Sequence, residues 1–195
     1  GRPPVDLRHP EQVLSVEIFQ DIAFLGMNPA TRLLRKPLRR MRIWAPGERP
    51  ISRAELKLRE ALERFALELP PDGRALDVGA APGGWTRELA RHVAQVVAVD
   101  PADLDPRVVA LPGVTHLRAR IEDLDAVEMG RFDVLTNDMN LEPLASAGIM
   151  VKLAPLLAPG GLAVMTIKFS TRRRDRHARE AQAVLSAAYA EIRIA

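Results

Sequence analysis

Cysteine is absent from the 195 residues. That excludes a disulfide framework, a thiol nucleophile and thiolate metal ligation, and it fits a reducing, cytoplasmic setting. The four histidines stand at no ligand spacing, so no metal is expected. Aromatic residues make up only 4%, and Trp44, Trp85 and Tyr189 are too scattered to form a stacking platform for bases. No apolar run is long enough to cross a bilayer and no signal-peptide pattern opens the sequence, so no membrane association is expected. Internal repeats and low-complexity tracts are also missing.

The chain is long enough for one full domain plus a fragment, with 47% apolar and 27% charged residues, an ordinary globular balance. The net charge is +3, arginine dominates the cations, and the pI is near 9.8. A basic balance attracts polyanions, RNA foremost, although the arginine-rich proteins of GC-rich genomes look the same.

The first fifty residues differ from the rest. Val13 to Phe19 alternates apolar and polar, and Gln20-Asp21 turns it into Ile22 to Leu25, which predicts a β-hairpin. Arg32, Arg35, Lys36, Arg39, Arg40 and Arg42 follow without an acidic residue, and Ala45 to Pro50 reads as a linker. Ser52 and Glu55 form a capping box for a helix whose apolar positions are Leu56, Ala61, Leu62, Phe65 and Leu69, stopped by Pro70-Pro71. Strands are predicted over 75–78, 96–99, 114–117, 132–136, 160–168 and 191–194. Helices are predicted over 85–93, 145–157 and 175–188. Short apolar strands alternating with helices imply βαβ units, a mostly parallel sheet covered on both faces, hence a Rossmann-like α/β domain from residue 51 onward.

In such a sheet the ligand sits beyond the carboxyl ends of the strands, at the turn into the first helix. Here that turn is Gly79-Ala-Ala-Pro-Gly-Gly84. Gly79 suits a tight turn, and Gly83 and Gly84 would let a ligand approach bare backbone. It is neither the GxGxxG dinucleotide pattern nor a P-loop. Asp100 ends the next strand, where a carboxylate can accept both hydroxyls of a ribose.

Leu76-Asp-Val-Gly-Ala-Ala-Pro-Gly-Gly-Trp-Thr86 resembles the S-adenosylmethionine motif of the FtsJ-type RNA methyltransferases, and the likeness extends over most of residues 51–195. The resemblance implies a methyltransferase fold. It also implies a cofactor site at Asp77, Gly79, Ala80, Ala81, Pro82, Gly83, Gly84, Trp85 and Asp100, bordered by Asp138. The family's catalytic lysine, aspartate and second lysine match Lys57, Asp138 and Lys168. A ribose 2′-hydroxyl is a poor nucleophile at neutral pH and must lose its proton while attacking in line. Two ammonium groups held close disfavour one another's charge, so one of them can serve as the base. The matched roles are then Lys168 orienting and deprotonating the hydroxyl, Lys57 assisting, and Asp138 holding the remaining ammonium.

Two departures stand out. The family's fourth catalytic residue, a glutamate on a last strand, has no match. Glu191 lies in the preceding element, so that glutamate is expected beyond Ala195 unless the tetrad is incomplete. The acidic residue near the adenine is also displaced: Arg120 takes its position, and Asp123 is the nearest candidate.

Pro4 to Gly26 resembles the closing hairpin of a THUMP domain, a module that presents RNA, and RlmM-type members of the family carry such a module upstream. The implied organisation is a THUMP-like remnant and basic linker over 1–50 and a catalytic domain over 51–195. The implied substrate is large-subunit ribosomal RNA. Arg172, Arg173, Arg174 and Arg176 follow Lys168 directly and are candidate phosphate contacts. Two other readings remain open. One is a small-molecule methyltransferase, which usually needs an apolar lid not seen here. The other is an RNA-binding assembly protein that keeps the fold without the activity.

Overall fold

The computed structural model describes residues 10–32, 49–169 and 174–194. Its contacts divide the chain into two units, Gly1–Trp44 and Ala45–Ala195.

In the first unit, β1 (Gln12–Phe19) and β2 (Ile22–Pro29) pair antiparallel from Phe19↔Ile22 to Gln12↔Pro29. This is the expected hairpin, with β2 reaching four residues past Leu25. Gln20 takes a positive φ of 55° in the two-residue turn. The pairing places Leu14, Val16, Ile18, Leu25 and Met27 on one face, and all five are exposed.

The second unit opens on α1 (Arg53–Phe65). Ser52 caps it, its Oγ accepting from the Ala54 N–H at 3.2 Å. Glu55 reaches back one residue further than the capping-box pattern, accepting from the Ile51 N–H at 3.0 Å. The helix stops before the prolines. Ala66 turns left-handed (φ 49°, ψ 50°) and the Leu67 N–H returns to the Leu62 carbonyl at 2.9 Å, a Schellman-type closure. That turn brings Leu67 and Leu69 back to the core beside Leu62. The buried face is Glu55, Leu58 and Leu62; Leu56 and Phe65, expected inside, are only half-buried.

Among the described residues five parallel strands form the sheet: β3 (Arg74–Val78), β4 (Gln95–Val99), β5 (Val114–Leu117), β6 (Phe132–Asn137) and β7 (Leu157–Met165), in the order β5-β4-β3-β6-β7. Alternation along the strands splits the core. Leu76, Val78, Val99 and Leu135 pack against α5 (Pro143–Leu153) and α6 (Arg174–Leu185). Ala75, Val96 and Val134 face the other way, against α1 and α2 (Gly84–Leu89). Burial on both faces explains why the strands read as nearly continuous apolar runs. Two further one-turn helices, α3 (Pro106–Val109) and α4 (Ala126–Met129), complete the connections.

Several boundaries differ from expectation. The α2 helix ends at Leu89 rather than Val93, and α5 ends at Leu153, followed by a 3-10 turn over Ala154–Leu156. Strand β7 begins at Leu157 because Leu157 pairs with Phe132 before the chain bulges through Pro159 and Gly160, the latter at φ 78°. It ends at Met165, so Lys168 lies three residues beyond the strand rather than closing it. Residues 191–194 form no strand. Ile192 packs on the α5–α6 side of the core, and the Arg193 guanidinium donates to the Phe65 carbonyl at 3.2 Å and lies over its ring.

Candidate active site

The sheet leaves β3 towards β4 on one side and meets β6 on the other. This change of direction opens a crevice beyond the strand ends. The glycine turn sits there. Gly79 and Ala80 donate to the Val99 carbonyl at 2.9 and 3.3 Å, and the Gly83 N–H to the Ala80 carbonyl at 2.6 Å; the Ala81–Pro82 peptide is cis.

The glycines of this turn answer first to protein packing. Gly79 (φ 71°) lies where a Cβ would come 2.4 Å from Met139 Cγ, and Gly83 (φ 105°) where it would meet Val108 at 2.9 Å. At Gly84 a Cβ would stand 2.4 Å from Ser52 Oγ and 3.0 Å from the Glu55 nitrogen. Gly84 therefore admits the start of α1 rather than a ligand.

Other members of the expected cofactor set are likewise turned inward. Asp77 is 1% exposed, and its carboxylate accepts from Thr86 Oγ1 at 2.7 Å and Thr136 Oγ1 at 2.9 Å. Burial pushes its pKa up to about 6, opposed by those two hydroxyls and assisted by the negative charge of Asp138. Trp85 is 3% exposed and donates from Nε1 to the Ala54 carbonyl at 2.8 Å, so it joins α2 to α1 and shows no face to the crevice. Ala80 is buried against Leu104 and Val108. Asp123 is exposed at the end of a 3-10 turn over Ile121–Asp123.

Gly79, Ala81 and Pro82 keep partly or fully open surfaces, and Asp100 stands beside them. Its carboxylate accepts from the Ala81 N–H at 3.1 Å and the Ala102 N–H at 2.7 Å, which leaves lone pairs on both oxygens. An acidic, incompletely used carboxylate beside an open turn fits a nucleoside with vicinal hydroxyls.

The crevice also gathers the three matched residues. Asp138 follows β6, its side chain 12% exposed. Lys57 Nζ, carried across by α1, donates to its two oxygens at 3.1 and 3.2 Å. Lys168 Nζ donates to the Asp138 carbonyl at 2.6 Å and lies 3.4 Å from Oδ1. Thr166 Oγ1, absent from the expected set, also donates to Oδ1. Asn137 holds the adjoining turn: its Oδ1 accepts from the Met139 N–H at 2.9 Å, which seats Met139 under Gly79. Asp138 and the glycine turn are thus fixed to one another.

An ion network unforeseen in the sequence holds α1 on α2. Glu55 and Glu88 are both buried. Glu55 pairs with Arg91 at 2.8 Å and Arg87 at 3.5 Å; Glu88 takes a two-pronged contact from Arg59 at 2.7 and 3.1 Å and a further one from Arg91. Burial of Glu88 works against its charge, but Arg59, then Arg91 and His92, hold its carboxyl below the usual range. The network ties the helix bearing Lys57 to the helix that leaves the glycine turn.

Residues 50–182, about two thirds of the chain, match the model of the FtsJ-like methyltransferases. The chain belongs to that family. Membership brings the cofactor with it, S-adenosylmethionine. This FtsJ-like chain is 35% identical over 121 residues to the ribosomal RNA large subunit methyltransferase M of Cellvibrio japonicus, covering 59% of this chain and 34% of that one. It is 36% identical over 134 residues to the ribosomal RNA large subunit methyltransferase E of Thermoplasma acidophilum, covering 63% and 61%. It therefore spans about a third of the first relative and three fifths of the second. The fold is shared with the N-methyltransferase NodS of Bradyrhizobium japonicum, solved with S-adenosyl-L-homocysteine. There the TM-score is 0.52 and the identity 20%, over 77% of this chain and 81% of that one.

Of the four arginines expected at the mouth of this FtsJ-like site, Arg172 and Arg173 lie outside the described residues, as does most of the basic stretch from Arg32 to Arg42. Arg174 and Arg176 open α6, and Arg176 pairs with Glu180 at 2.7 Å. Among the described residues no group of three histidines or acids could hold a metal, and no helix is long and apolar enough to cross a membrane.

Proposed function

We propose that this chain methylates a ribose 2′-hydroxyl of RNA, with large-subunit ribosomal RNA as the substrate. The observation that carries the proposal is the Asp138 carboxylate held between Lys57 and Lys168, beside the glycine turn. When bound at that turn, S-adenosylmethionine supplies a methyl group on a sulfonium. The chain's own residues do the rest. Asp100 takes the donor's ribose hydroxyls, and Gly79, Ala81 and Pro82 form the backbone floor. Lys168, steadied by the Asp138 carbonyl and carboxylate, orients the RNA hydroxyl and accepts its proton. Lys57 assists from α1, and Asp138 offsets the charge of both. Pre-arranged positioning supplies much of the acceleration.

The rRNA methyltransferase relatives and the basic N-terminal region support RNA as the acceptor, with cytoplasmic residence following from that substrate. On this reading residues 51–195 are the catalytic domain. Residues 1–50 are a THUMP-like piece and linker that help present RNA, with Arg172, Arg173, Arg174 and Arg176 contacting phosphates. The test is methyl transfer from labelled S-adenosylmethionine to large-subunit ribosomal RNA transcribed in vitro, followed by alkaline hydrolysis. One nucleotide should resist cleavage. Lys57→Ala and Lys168→Ala should each reduce transfer at least about a hundredfold, the lower range for acid–base groups. Full transfer by either variant, with its fold intact by circular dichroism, would overturn the assignment.

A further inference from the structure

We infer that Thr166 is a positioning residue for this reaction, its hydroxyl holding the Asp138 carboxylate in the orientation that faces both lysines. The inference rests on the roles proposed for Lys57, Asp138 and Lys168. Thr166 is the first residue after β7, and its N–H donates to the Asn137 carbonyl at 3.0 Å, immediately before Asp138. Its Oγ1 then donates to Asp138 Oδ1, the same oxygen that Lys57 reaches at 3.1 Å and Lys168 approaches at 3.4 Å.

The three partners of Oδ1 differ in stiffness. Each lysine ends a flexible four-carbon stem and holds a carboxylate loosely. Threonine is β-branched, with a single restricted χ1, and its backbone is already pinned to the residue before Asp138. A hydroxyl-to-carboxylate bond is charge-assisted and roughly twice as strong as a neutral one. The short, stiff tether sets the carboxylate, and the two long side chains follow it. The sequence carries a trace of this in Val164-Met-Thr-Ile167, where one hydroxyl interrupts an apolar run.

Thr166→Val removes the hydroxyl at nearly constant shape, and Thr166→Ser keeps it. In a crystal structure of the Val variant, the Asp138 carboxylate should turn away from at least one lysine; unchanged contacts to both would refute the inference without any assay. With in vitro transcribed large-subunit ribosomal RNA, the Val variant should lose roughly tenfold in kcat, the cost of one such bond. Its KM for S-adenosylmethionine and for RNA should hold, and the Ser variant should recover most of the rate. A kcat within twofold of wild type in the Val variant, or a Ser variant equally impaired, would overturn the positioning role. Thr166→Ala replaces the Val variant if thermal melts show the latter unfolded. Undiminished activity in Lys57→Ala and Lys168→Ala would instead fell the proposed function. Loss there with an unaffected Val variant fells this inference alone.

Discussion

Asp77 is a charge buried where a neutral group would serve. The perturbation is Asp77→Asn. In the wild type both carboxylate oxygens are occupied by hydroxyls, and burial lifts the pKa from its ordinary 3.8 to about 6. That gap corresponds to about 3 kcal/mol at ~1.36 kcal/mol per pH unit. The folded pKa exceeds the unfolded one, so the protonated form favours folding. This contribution is whole only well below about pH 4 and is lost as the pH rises through 6. Asparagine carries no charge at any pH. Its amide oxygen can accept from Thr86, and its NH₂ can donate to Thr136 Oγ1, whose proton then turns to the Leu76 carbonyl 3.3 Å away. Urea unfolding of both proteins from pH 4 to pH 8 measures the difference, and other titrations cancel between them. The variant should gain about 2 kcal/mol on the wild type between pH 4 and pH 8, the remainder of the contribution having gone below pH 4. A difference that stays constant with pH, or moves the other way, would refute burial as the dominant influence on Asp77.

Gly79→Ala forces a side chain into φ 71° and against Met139, so donor binding at the turn should weaken roughly tenfold or more by calorimetric titration with S-adenosylmethionine. Adding Met139→Ala should recover only the packing part of that loss. Glu88→Ala leaves Arg59 and Arg91 with Glu55 alone and should cost about 3 kcal/mol by urea unfolding at pH 7. Because the folded pKa of Glu88 is depressed, the wild-type advantage should be present above its ordinary 4.5 and shrink as the pH falls below it.

The residues differ in how openly the sequence showed their roles. Strands such as Ala75 to Val78 and Val96 to Val99 announce themselves by apolar runs between turn residues, because strand burial is a local property of the chain. The face of α1 was harder to read. Leu56 and Phe65 fit helical spacing as well as Leu58 and Leu62 do, and only the partner helix decides which set is buried. Glu55 reads as a cap in one dimension, while in three it also meets Arg91, 36 positions away. Trp85 and Gly84 sit inside a ligand motif yet serve the α1–α2 contact. Neither role has a signal in local spacing.

By itself, then, the sequence determined the βαβ order, the glycine turn and the family, because each is written in contiguous residues. Bringing Lys57 and Lys168 each within 3.4 Å of the Asp138 carboxylate, and adding Thr166 to them, was decided by tertiary structure. These groups lie 81 and 30 positions apart, and their meeting depends on the register of β6 against β7 and on the seating of α1 over Gly84. Both are set by packing between distant elements.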